Sequence, residues 1–340
     1  MSFIIILALY PLTSALLSWA LKFLKNPMFL DVPTERSNHQ TPKARGAGII
    51  LIPLFLFSTS VIFLLEDTFN NNWKIFFGFC LLLSIVSFLD DIKNISAKIR
   101  LTFQIFCVFS TLYLFKDQLN IFISSSEFLI IFNGMESLGL GLIFCFLVML
   151  WVWIINMYNF MDGMDGITSV QISSLSILTN FLAILGLIEE SFIYFSLILL
   201  TISFAFYSVN KPPSKIFLGD VGSIPLGFIA GFILIYNMIM YNLILPFLVI
   251  MLYYLLDSIA TIILRFLKKE NVFQAHSSHF YQKILRKGYS HDYVLKKIIY
   301  LHSILLILAI LSYYYPISSL ILAFLCTSSL LIFFNSRKFK

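Results

Sequence analysis

The amino-acid sequence predicts an all-α, polytopic integral membrane protein with about eleven transmembrane helices, and three observations support this fold class. The 340 residues are 59% hydrophobic and only 12% charged, with a mean hydropathy of +0.93. A soluble domain is usually about 45–50% apolar and about 25% charged. The apolar residues form runs of about twenty, the length that crosses roughly 30 Å of hydrocarbon. Finally, the basic residues are concentrated in alternate loops between these runs.

Eleven candidate spans follow one another along the chain. A shorter apolar segment, residues 120–132, is expected to be re-entrant or interfacial because it is too short to cross the bilayer. The sequence shows no internal repeat and no second soluble domain, so we expect one transmembrane domain over residues 1–340. The spans are predicted near residues 2–21, 46–65, 73–89, 98–115, 138–156, 166–187, 191–208, 222–240, 242–264, 297–314 and 316–335.

The distribution of charge predicts which side of the membrane each loop faces. With the N-terminus outside and the spans alternating, 21 of the 23 basic residues fall in inner loops or the C-terminal tail, and only Lys74 and Lys116 fall outside. Such a bias is typical of cytoplasmic loops, so we expect the C-terminus in the cytoplasm. The net charge of +6 is explained by this bias and by contact with anionic lipid headgroups. No basic, aromatic-interleaved segment indicates a nucleic-acid partner.

The residues that could take part in catalysis or in substrate binding are concentrated in the predicted inner loops. These loops are 22–45, 90–97, 157–166, 209–222 and 265–296. The outer loops are short and carry only scattered acidic residues. Because the inner clusters come from distant parts of the chain but share one side of the membrane, we expect them to meet in one active site that faces the cytoplasm.

The first cluster is a pair of adjacent aspartates, Asp90 and Asp91, at the inner end of the third span. Arg100 follows shortly after them, with Lys98 and Gln104 beside it. Carboxylates at a membrane boundary are costly unless they are solvated, paired or shared with a cation. The pair can bind Mg²⁺, or one member can act as a base. The alternative is two solvated acids that end the span.

The second cluster is the loop from Asn159 to Gly166, in which Asp162 and Asp165 lie three residues apart. Helical spacing would place both carboxylates on one face. Glycine permits close approach of a ligand, and the start of the next span offers free N–H groups to a phosphate. A calcium-binding loop is excluded because the D-x-D-x-D-G-x₅-E pattern is absent. A plain turn is the remaining alternative.

The third cluster surrounds Asp220, which glycines bracket at the start of a span. Phe217 precedes it by three residues, and Asn210 and Lys215 lie just before. A lone aspartate there can be only a helix cap. However, it would face the same compartment as the other acids, and a magnesium ion that bridges a diphosphate needs few protein oxygens. Asp220 is therefore a candidate metal ligand.

The fourth cluster is His276 and His279, three residues apart in the largest inner loop. A local zinc site would need a further cysteine or histidine nearby, and this stretch has none. Binding or orientation of a diphosphate fits better, with support from Asp257 and Arg265 near the inner end of the ninth span. Three other histidines do not belong to such a cluster in the sequence and are expected to be structural: His39, His291 and His302.

Taken together, these stretches resemble the polyprenyl-phosphate N-acetylhexosamine-1-phosphate transferases of glycosyl transferase family 4. That family includes the peptidoglycan translocase that makes the first lipid intermediate and the enzymes that start O-antigen and common-antigen chains. The resemblance covers residues 31 to about 285, and the acidic loop followed by the F-x-G-D-x-G-S loop is its most specific part. The matching stretches are residues 31–37, 88–91, 159–166, 210–223 and 276–283.

The segment 274–282 resembles the O-antigen branch more closely than the translocase branch, which has a run of consecutive histidines. Many members of that branch use N-acetylglucosamine or a 6-deoxy N-acetylhexosamine. The sequence also departs from the family, because residues 43–48 read K-A-R-G-A-G where Pro-Arg-Gly-Gly-Gly is usual. Ser277 stands where the branch often has a basic residue. These departures leave the reaction class intact and the exact sugar open.

The resemblance implies a reaction, a location and a set of site residues. The reaction is transfer of N-acetylhexosamine 1-phosphate from a UDP-sugar to undecaprenyl phosphate with Mg²⁺ or Mn²⁺, releasing UMP and starting O-antigen or a related surface polysaccharide. The location is the bacterial inner membrane, with the active site on the cytoplasmic face. The implied catalytic residues are Asp90, Asp91, Asp162 and Asp165; the metal ligands are Asp220 and Asp162; the substrate-binding residues are Arg45, Asn159, Asn210, Phe217, Arg265, His276 and His279.

Three other functions are alternatives to this one. The nearest alternative is the phospho-MurNAc-pentapeptide translocase of peptidoglycan synthesis. A secondary membrane transporter would often show internal repeats and polar sites near the bilayer midplane, whereas the acids here gather at one face. A scaffold protein has no need for five converging acids. The sequence leaves open the pathway, direct or two-step transfer, and the oligomeric state, for which a homodimer is one candidate.

Overall fold

The computed structural model describes residues 1–24, 30–33, 41–124, 136–271 and 277–337, which form thirteen helices and three short strands. The helices are α1 (Ser2–Phe23), α2 (Gly48–Leu65), α3 (Asn71–Lys93), α4 (Ala97–Tyr113), α5 (Lys116–Ser124), α6 (Glu136–Met161), α7 (Ile167–Ile184), α8 (Ser191–Asn210), α9 (Asp220–Tyr241), α10 (Leu245–Leu267), α11 (Phe280–Arg286), α12 (His291–Leu311) and α13 (Pro316–Ser336). The strands are β1 (Leu30–Asp31), β2 (Lys43–Arg45) and β3 (Ile216–Phe217).

The helices confirm the prediction of an all-α, multi-span membrane protein. Within the described ranges, ten helices are long and apolar enough to cross a membrane, and the bent pair α4–α5 is an eleventh candidate, with 70° between its halves. The segment expected to be re-entrant or interfacial, 120–132, begins in α5 and continues into residues outside the described ranges. The side of the membrane that each end faces stays a prediction from the charge distribution.

Helix α12 starts six residues earlier than its apolar run predicts, at His291. The hydroxyl of Ser290 accepts a hydrogen bond from the Tyr293 backbone N–H at 3.3 Å, which caps the helix. Asp292 in the first turn also favours a helix start, because an acidic side chain complements the positive end of the helix dipole. The polar first turns therefore extend this helix beyond its membrane-spanning part.

Helix α9 is the central helix of the bundle. Its spanning window is 89% buried, against 28% for α1 and α13, which lie at the periphery. Small residues let its neighbours approach, since a side chain at Gly227 or Gly231 would overlap Ile155 or Trp151 of α6. Because Asp220 is the first residue of this helix, the third cluster is placed at the centre of one end of the bundle.

A three-stranded sheet that the helical pattern did not predict lies at that same end. The strand order is β1-β2-β3, with β1 and β2 antiparallel and β2 and β3 parallel, so that Arg45 lies opposite Phe217. Beyond the strands, the N–H groups of Gly46 and Ala47 donate to the Phe217 carbonyl at 3.0 Å each. These bonds carry the chain from β2 into α2 directly beside the start of α9.

Candidate active site

The N-terminus of α9 is built against the end of α3. Gly219 precedes the helix with a φ of +77°, a conformation that glycine adopts readily. A Cβ atom there would lie 3.2 Å from Asp91 Oδ2. The Val221 N–H donates to the same carboxylate oxygen at 3.3 Å. Asp91 therefore satisfies a free amide of the α9 first turn, where the helix dipole also favours a negative charge.

Two arginines join the three aspartates of the first and third clusters. Arg45 Nη2 lies 2.9 Å from Asp91 Oδ1 and 2.5 Å from Asp220 Oδ1. Arg100 Nη1 lies 2.6 Å from Asp90 Oδ2 and 3.5 Å from Asp220 Oδ2. Clusters more than a hundred residues apart in sequence thus converge on Asp220, which lies between two guanidinium groups.

Neighbouring carboxylates stabilise the positive charge of Arg45. Burial by itself would lower the pKa of Arg45, but the charges of Asp220, Asp91 and Asp31 raise it above the ordinary value. The resemblance to the family implied a substrate-binding role for Arg45 but not for Arg100. The signal for Arg100 was its position ten residues after Asp90, in the first turn of α4.

Asn159, at the end of α6, extends this group toward the acidic loop. Its amide Nδ2 donates to Asp220 Oδ2 at 3.3 Å, and its Oδ1 accepts from Ser223 Oγ at 3.0 Å. Both ends of the amide are therefore held by residues of the α9 first turn. This contact brings the second cluster to the third.

Asp162 lies in the same electrostatic environment. Its Oδ1 accepts a hydrogen bond from Thr168 Oγ1 at 2.6 Å. Burial raises the pKa of Asp162 to about 7, and the charge of Asp220 adds to this, while the Thr168 hydrogen bond and the charge of Arg45 oppose it. A carboxyl group that exchanges its proton near neutral pH is a candidate acid or base.

Asp165 has a different set of partners from Asp162. It is 3% exposed and accepts hydrogen bonds from the backbone N–H of Ser214 at 3.0 Å and from Ser214 Oγ at 2.9 Å. Lys43 Nζ lies 3.5 Å away and His291 Nδ1 lies 3.4 Å away. Asp165 therefore links the acidic loop to β2, to the loop before β3 and to α12, an arrangement suited to holding the site together.

Burial alone would raise the pKa of Asp165. The hydrogen bond and charge of His291, the Ser214 amide and the charge of Lys43 outweigh burial and hold this pKa well below the ordinary value. From the sequence alone, His291 is expected to be structural, and Lys43 only departs from the family pattern. Neither shows a local motif, because their partner lies far away in sequence.

Asn210 and Phe217 shape the backbone around these acids. Asn210 Oδ1 accepts from the Gly166 N–H at 2.8 Å, and its Nδ2 donates to the Ile216 carbonyl at 2.8 Å, with the side chain 5% exposed. Lys43 Nζ lies 5.1 Å from the centre of the Phe217 ring, within the range of a cation–π contact. The partners of Asn210 are thus backbone groups of two loops, which it ties together.

The fourth cluster is adjacent to the acidic loop through α11. His279 Nδ1 lies 3.0 Å from Asp257 Oδ1, and both side chains are buried. Tyr281 Oη donates to the Phe160 carbonyl at 3.1 Å, which joins α11 to the end of α6. Arg265 contacts Glu270 at 3.0 Å and the Asn271 carbonyl at 2.6 Å, in the loop that follows its own helix. His276 lies outside the described residues.

The carboxylates fit a magnesium ion that a substrate helps to hold. Asp91 and Asp220 both touch one nitrogen of Arg45, so their oxygens are within reach of a single cation. Mg²⁺ prefers oxygen ligands, keeps several waters and is commonly completed by substrate phosphates. Among the residues that the structure describes, no three His, Cys, Asp or Glu side chains form a ready-made cage. A site shared between protein and diphosphate is therefore the arrangement that fits.

Comparisons with known proteins agree with this geometry. Residues 73–238 match the family model described as glycosyl transferase family 4. The chain is 27% identical over 216 residues to a phospho-N-acetylmuramoyl-pentapeptide-transferase of Streptococcus sanguinis, covering 59% of this chain and 61% of the relative. The corresponding protein of Lactococcus lactis subsp. cremoris strain MG1363 is 24% identical over 229 residues, or 63% of this chain and 64% of the relative.

A third relative has a different printed function. It is a probable undecaprenyl-phosphate N-acetylglucosaminyl 1-phosphate transferase of Bacillus subtilis, 29% identical over 216 residues, which are 61% of this chain and 56% of the relative. In each of these three cases the matched region spans less than two thirds of the relative's length. The region that matches the family model contains Asp90, Asp91, Asn159, Asp162 and Asp220. The resemblance seen in the motifs is therefore confirmed, and residues 73–238 of the chain are similar to glycosyl transferase family 4.

Proposed function

We propose that this protein transfers an N-acetylhexosamine 1-phosphate from a UDP-sugar to undecaprenyl phosphate and releases UMP. The observation that carries this proposal is the contact of two arginines, Arg45 and Arg100, with Asp90, Asp91 and Asp220 at the start of the central helix. A reaction between two anionic phosphates needs positive charge placed in advance, and this group supplies both cations and metal-binding oxygens.

The chemistry is a single displacement at phosphorus. A phosphate oxygen of the lipid acceptor attacks the β-phosphorus of the donor, a new phosphorus–oxygen bond forms, and the bond to the bridging oxygen breaks so that UMP leaves. We favour direct attack over a phosphorylated enzyme, because a phosphate is already a competent nucleophile. Positioning and charge neutralisation supply most of the rate in such reactions.

The residues divide this work between them. A bound Mg²⁺ or Mn²⁺ would neutralise charge on the diphosphate, held by Asp220 and Asp91, with Asp162 nearby. Arg45 and Arg100 are close enough to these carboxylates to bind phosphate oxygens at the same place. Asp90 or Asp91 would align or deprotonate the polyprenyl phosphate, and Asn159 orients Asp220. Asp165 and Asn210 fix the loops rather than contacting the reacting atoms.

The depth of the site suits the two substrates. The isoprenoid tail stays in the lipid, so its phosphate arrives at the interface, and the nucleotide sugar arrives from water. The acids and arginines lie at helix ends, where these two phases meet. With the orientation predicted from the basic residues, this is the cytoplasmic face of the bacterial inner membrane.

The donor sugar separates two candidate functions within this proposal. The histidine segment 274–282 favours an N-acetylhexosamine without a peptide and a role in starting O-antigen or a related polysaccharide. The names of the Streptococcus and Lactococcus relatives favour the second candidate, phospho-N-acetylmuramoyl-pentapeptide transfer in peptidoglycan synthesis.

A donor screen tests the proposal. Purified protein in detergent is incubated with Mg²⁺, undecaprenyl phosphate and, in turn, UDP-N-acetylglucosamine, a UDP-6-deoxy-N-acetylhexosamine and UDP-MurNAc-pentapeptide. UMP release and the mass of the lipid product are measured. Product with either of the first two donors supports the first candidate, and product with only the pentapeptide donor supports the second. No UMP from any donor, with substrate flux across vesicles instead, would overturn both.

A further inference from the structure

A hydrogen-bonded pair of amide side chains joins α4 to α6 and has no role in the mechanism above. Asn156 Nδ2 of α6 donates to Gln104 Oε1 of α4 at 2.7 Å, and the same nitrogen donates to the Val152 carbonyl at 2.8 Å. Because both partners are acceptors, the NH₂ end of the Asn156 amide faces α4. Gln104 is 3% exposed, so its side chain lies inside the helix bundle.

The pair lies within the membrane-spanning parts of both helices. The predicted spans 98–115 and 138–156 contain Gln104 and Asn156. An amide in apolar surroundings is costly unless it is hydrogen-bonded, and asparagine and glutamine in membrane helices commonly bond to a neighbouring helix. The bond therefore holds α4 against α6 at a fixed height, because Gln104 Oε1 loses its donor when the helices separate or slide.

A second link between the same two helices lies one turn nearer the proposed site. On α4, Arg100 precedes Gln104 by four residues, and on α6, Asn159 follows Asn156 by three. Residues at these spacings lie on the same face of a helix. Arg100 Nη1 and Asn159 Nδ2 reach the same oxygen, Asp220 Oδ2, at 3.5 and 3.3 Å. The two helices are thus joined directly by the amide pair and again through Asp220.

We propose that Gln104 and Asn156 are positioning residues, which fix the spacing of α4 and α6 so that the two contacts with Asp220 Oδ2 form together. This inference rests on the proposed function, in which Asp220 holds the metal. At 3.3 and 3.5 Å these contacts are long for hydrogen bonds, so a small displacement of either helix breaks them. Arg100 would then stay with Asp90, which it contacts at 2.6 Å.

Apolar replacements of the pair separate positioning from stability. Gln104→Met removes one amide, and we expect Tm to fall and kcat for UMP release to fall about tenfold, the lower end of the range for residues that support metal ligands. In Gln104→Met/Asn156→Leu both partners are apolar, so Tm should recover. Its kcat should stay low, because no directed contact sets the spacing of the helices. A double variant with wild-type kcat would overturn the inference.

Rescue and a matched control complete the kinetic test. The exchange Gln104→Asn/Asn156→Gln moves one methylene group from α4 to α6 and restores the bond, so most of the kcat should return. Asn180→Leu is the control, since Asn180 Nδ2 donates to the Ile193 carbonyl at 3.1 Å and joins α7 to α8 far from Asp220. It should lower Tm with wild-type kcat. A loss of kcat equal to that of Gln104→Met would overturn the inference.

Spin labels measure the spacing of the helices without any turnover. Thr102→Cys on α4 and the native Cys145 on α6 are both exposed, Cys326 is replaced by serine, and the other two cysteines are buried. Pulsed electron paramagnetic resonance should give one narrow distance distribution, which broadens with Gln104→Met and narrows again with the exchange. An unchanged distribution in Gln104→Met would overturn the inference. A failed donor screen with wild-type protein would count against the proposed function, whereas these distances still test the pair.

Discussion

Arg45 Nη2 lies 2.5 Å from Asp220 Oδ1 and also contacts Asp91, so one guanidinium connects strand β2, the end of α3 and the start of α9. The sequence separations are large, with 175 residues between Arg45 and Asp220. The contact depends on the pairing of β2 with β3, which places Arg45 opposite Phe217. Phe217 lies three residues before Asp220, the first residue of α9. This relationship makes Arg45 the most informative residue to change.

Replacing Arg45 by alanine should reduce kcat/KM for UMP release by about 10²-fold or more, since a charge that stabilises the transition state is lost. Arg45→Lys should recover only part of this, because a compact, strongly hydrated ammonium lacks the rigid fork of five donors that matches carboxylate and phosphate oxygens. The measurement is initial rate against UDP-sugar concentration. Lys74→Ala, at the predicted outer end, is the control, and a near-normal rate for Arg45→Ala would contradict the role.

Asp220→Ala should abolish turnover and weaken the binding of Mn²⁺, because the proposed metal site loses the carboxylate on which the other groups converge. Binding of Mn²⁺ followed by electron paramagnetic resonance measures this without any reaction. Asp292→Ala is the matched control, since that carboxylate is 58% exposed and pairs with Lys296 one helical turn further along α12. Unchanged Mn²⁺ affinity in folded Asp220→Ala protein would remove the metal assignment.

Asp165→Asn should destabilise the protein at neutral pH by on the order of 2 kcal/mol, since the variant loses the charge that Lys43 and His291 stabilise. The pKa of Asp165 is lowered in the folded protein, so its contribution is present above the ordinary aspartate pKa and is lost as the pH falls. Thermal unfolding in detergent should therefore show a Tm difference that is nearly constant from about pH 7 to about pH 5 and shrinks as the pH falls below the ordinary aspartate pKa of about 4. A difference that stays the same down to about pH 2 would contradict the explanation.

Gly48→Ala should prevent stable folding, whereas Gly78→Ala should be tolerated. A Cβ atom on Gly48 would overlap the backbone of Gly222, where α2 and α9 begin side by side, and overpacking commonly costs about 1–3 kcal/mol. A Cβ atom on Gly78 meets no described atom within 4 Å. Yield of monodisperse protein and Tm are the measurements. Equal behaviour of the two variants would show that the α2–α9 contact is looser than this geometry requires.

The sequence predicted the part of the site that follows from membrane topology. Apolar runs of fixed length and the bias of basic residues place Asp90, Asp91, Asp162 and Asp220 on one side of the membrane. Because the inner loops are few and share one side of the membrane, acids at the ends of neighbouring spans are expected to lie close together. The convergence of Asp90 and Asp220 on Arg100 therefore matches the expectation from sequence.

The sequence could not separate the two acids of the acidic loop. Helical spacing suggested that Asp162 and Asp165 share a face, but helix α6 ends at Met161 and the loop is not helical. Asp165 turns toward Ser214 and His291, while Asp162 binds Thr168. The two aspartates have different partners because the loops that supply them meet only after the helices have packed. Periodicity in the sequence therefore cannot predict this difference.

The sequence by itself determined that the chain is a bundle of membrane-spanning helices whose clustered aspartates and arginines lie at one end, because burial in lipid constrains the length and polarity of every span. The tertiary structure alone decided which of these groups touch. Arg45 reaches Asp220 through a parallel strand pair, and Asp257 meets His279 through the start of a short helix. Such contacts depend on the mutual placement of distant segments, which side-chain packing and backbone hydrogen bonds set.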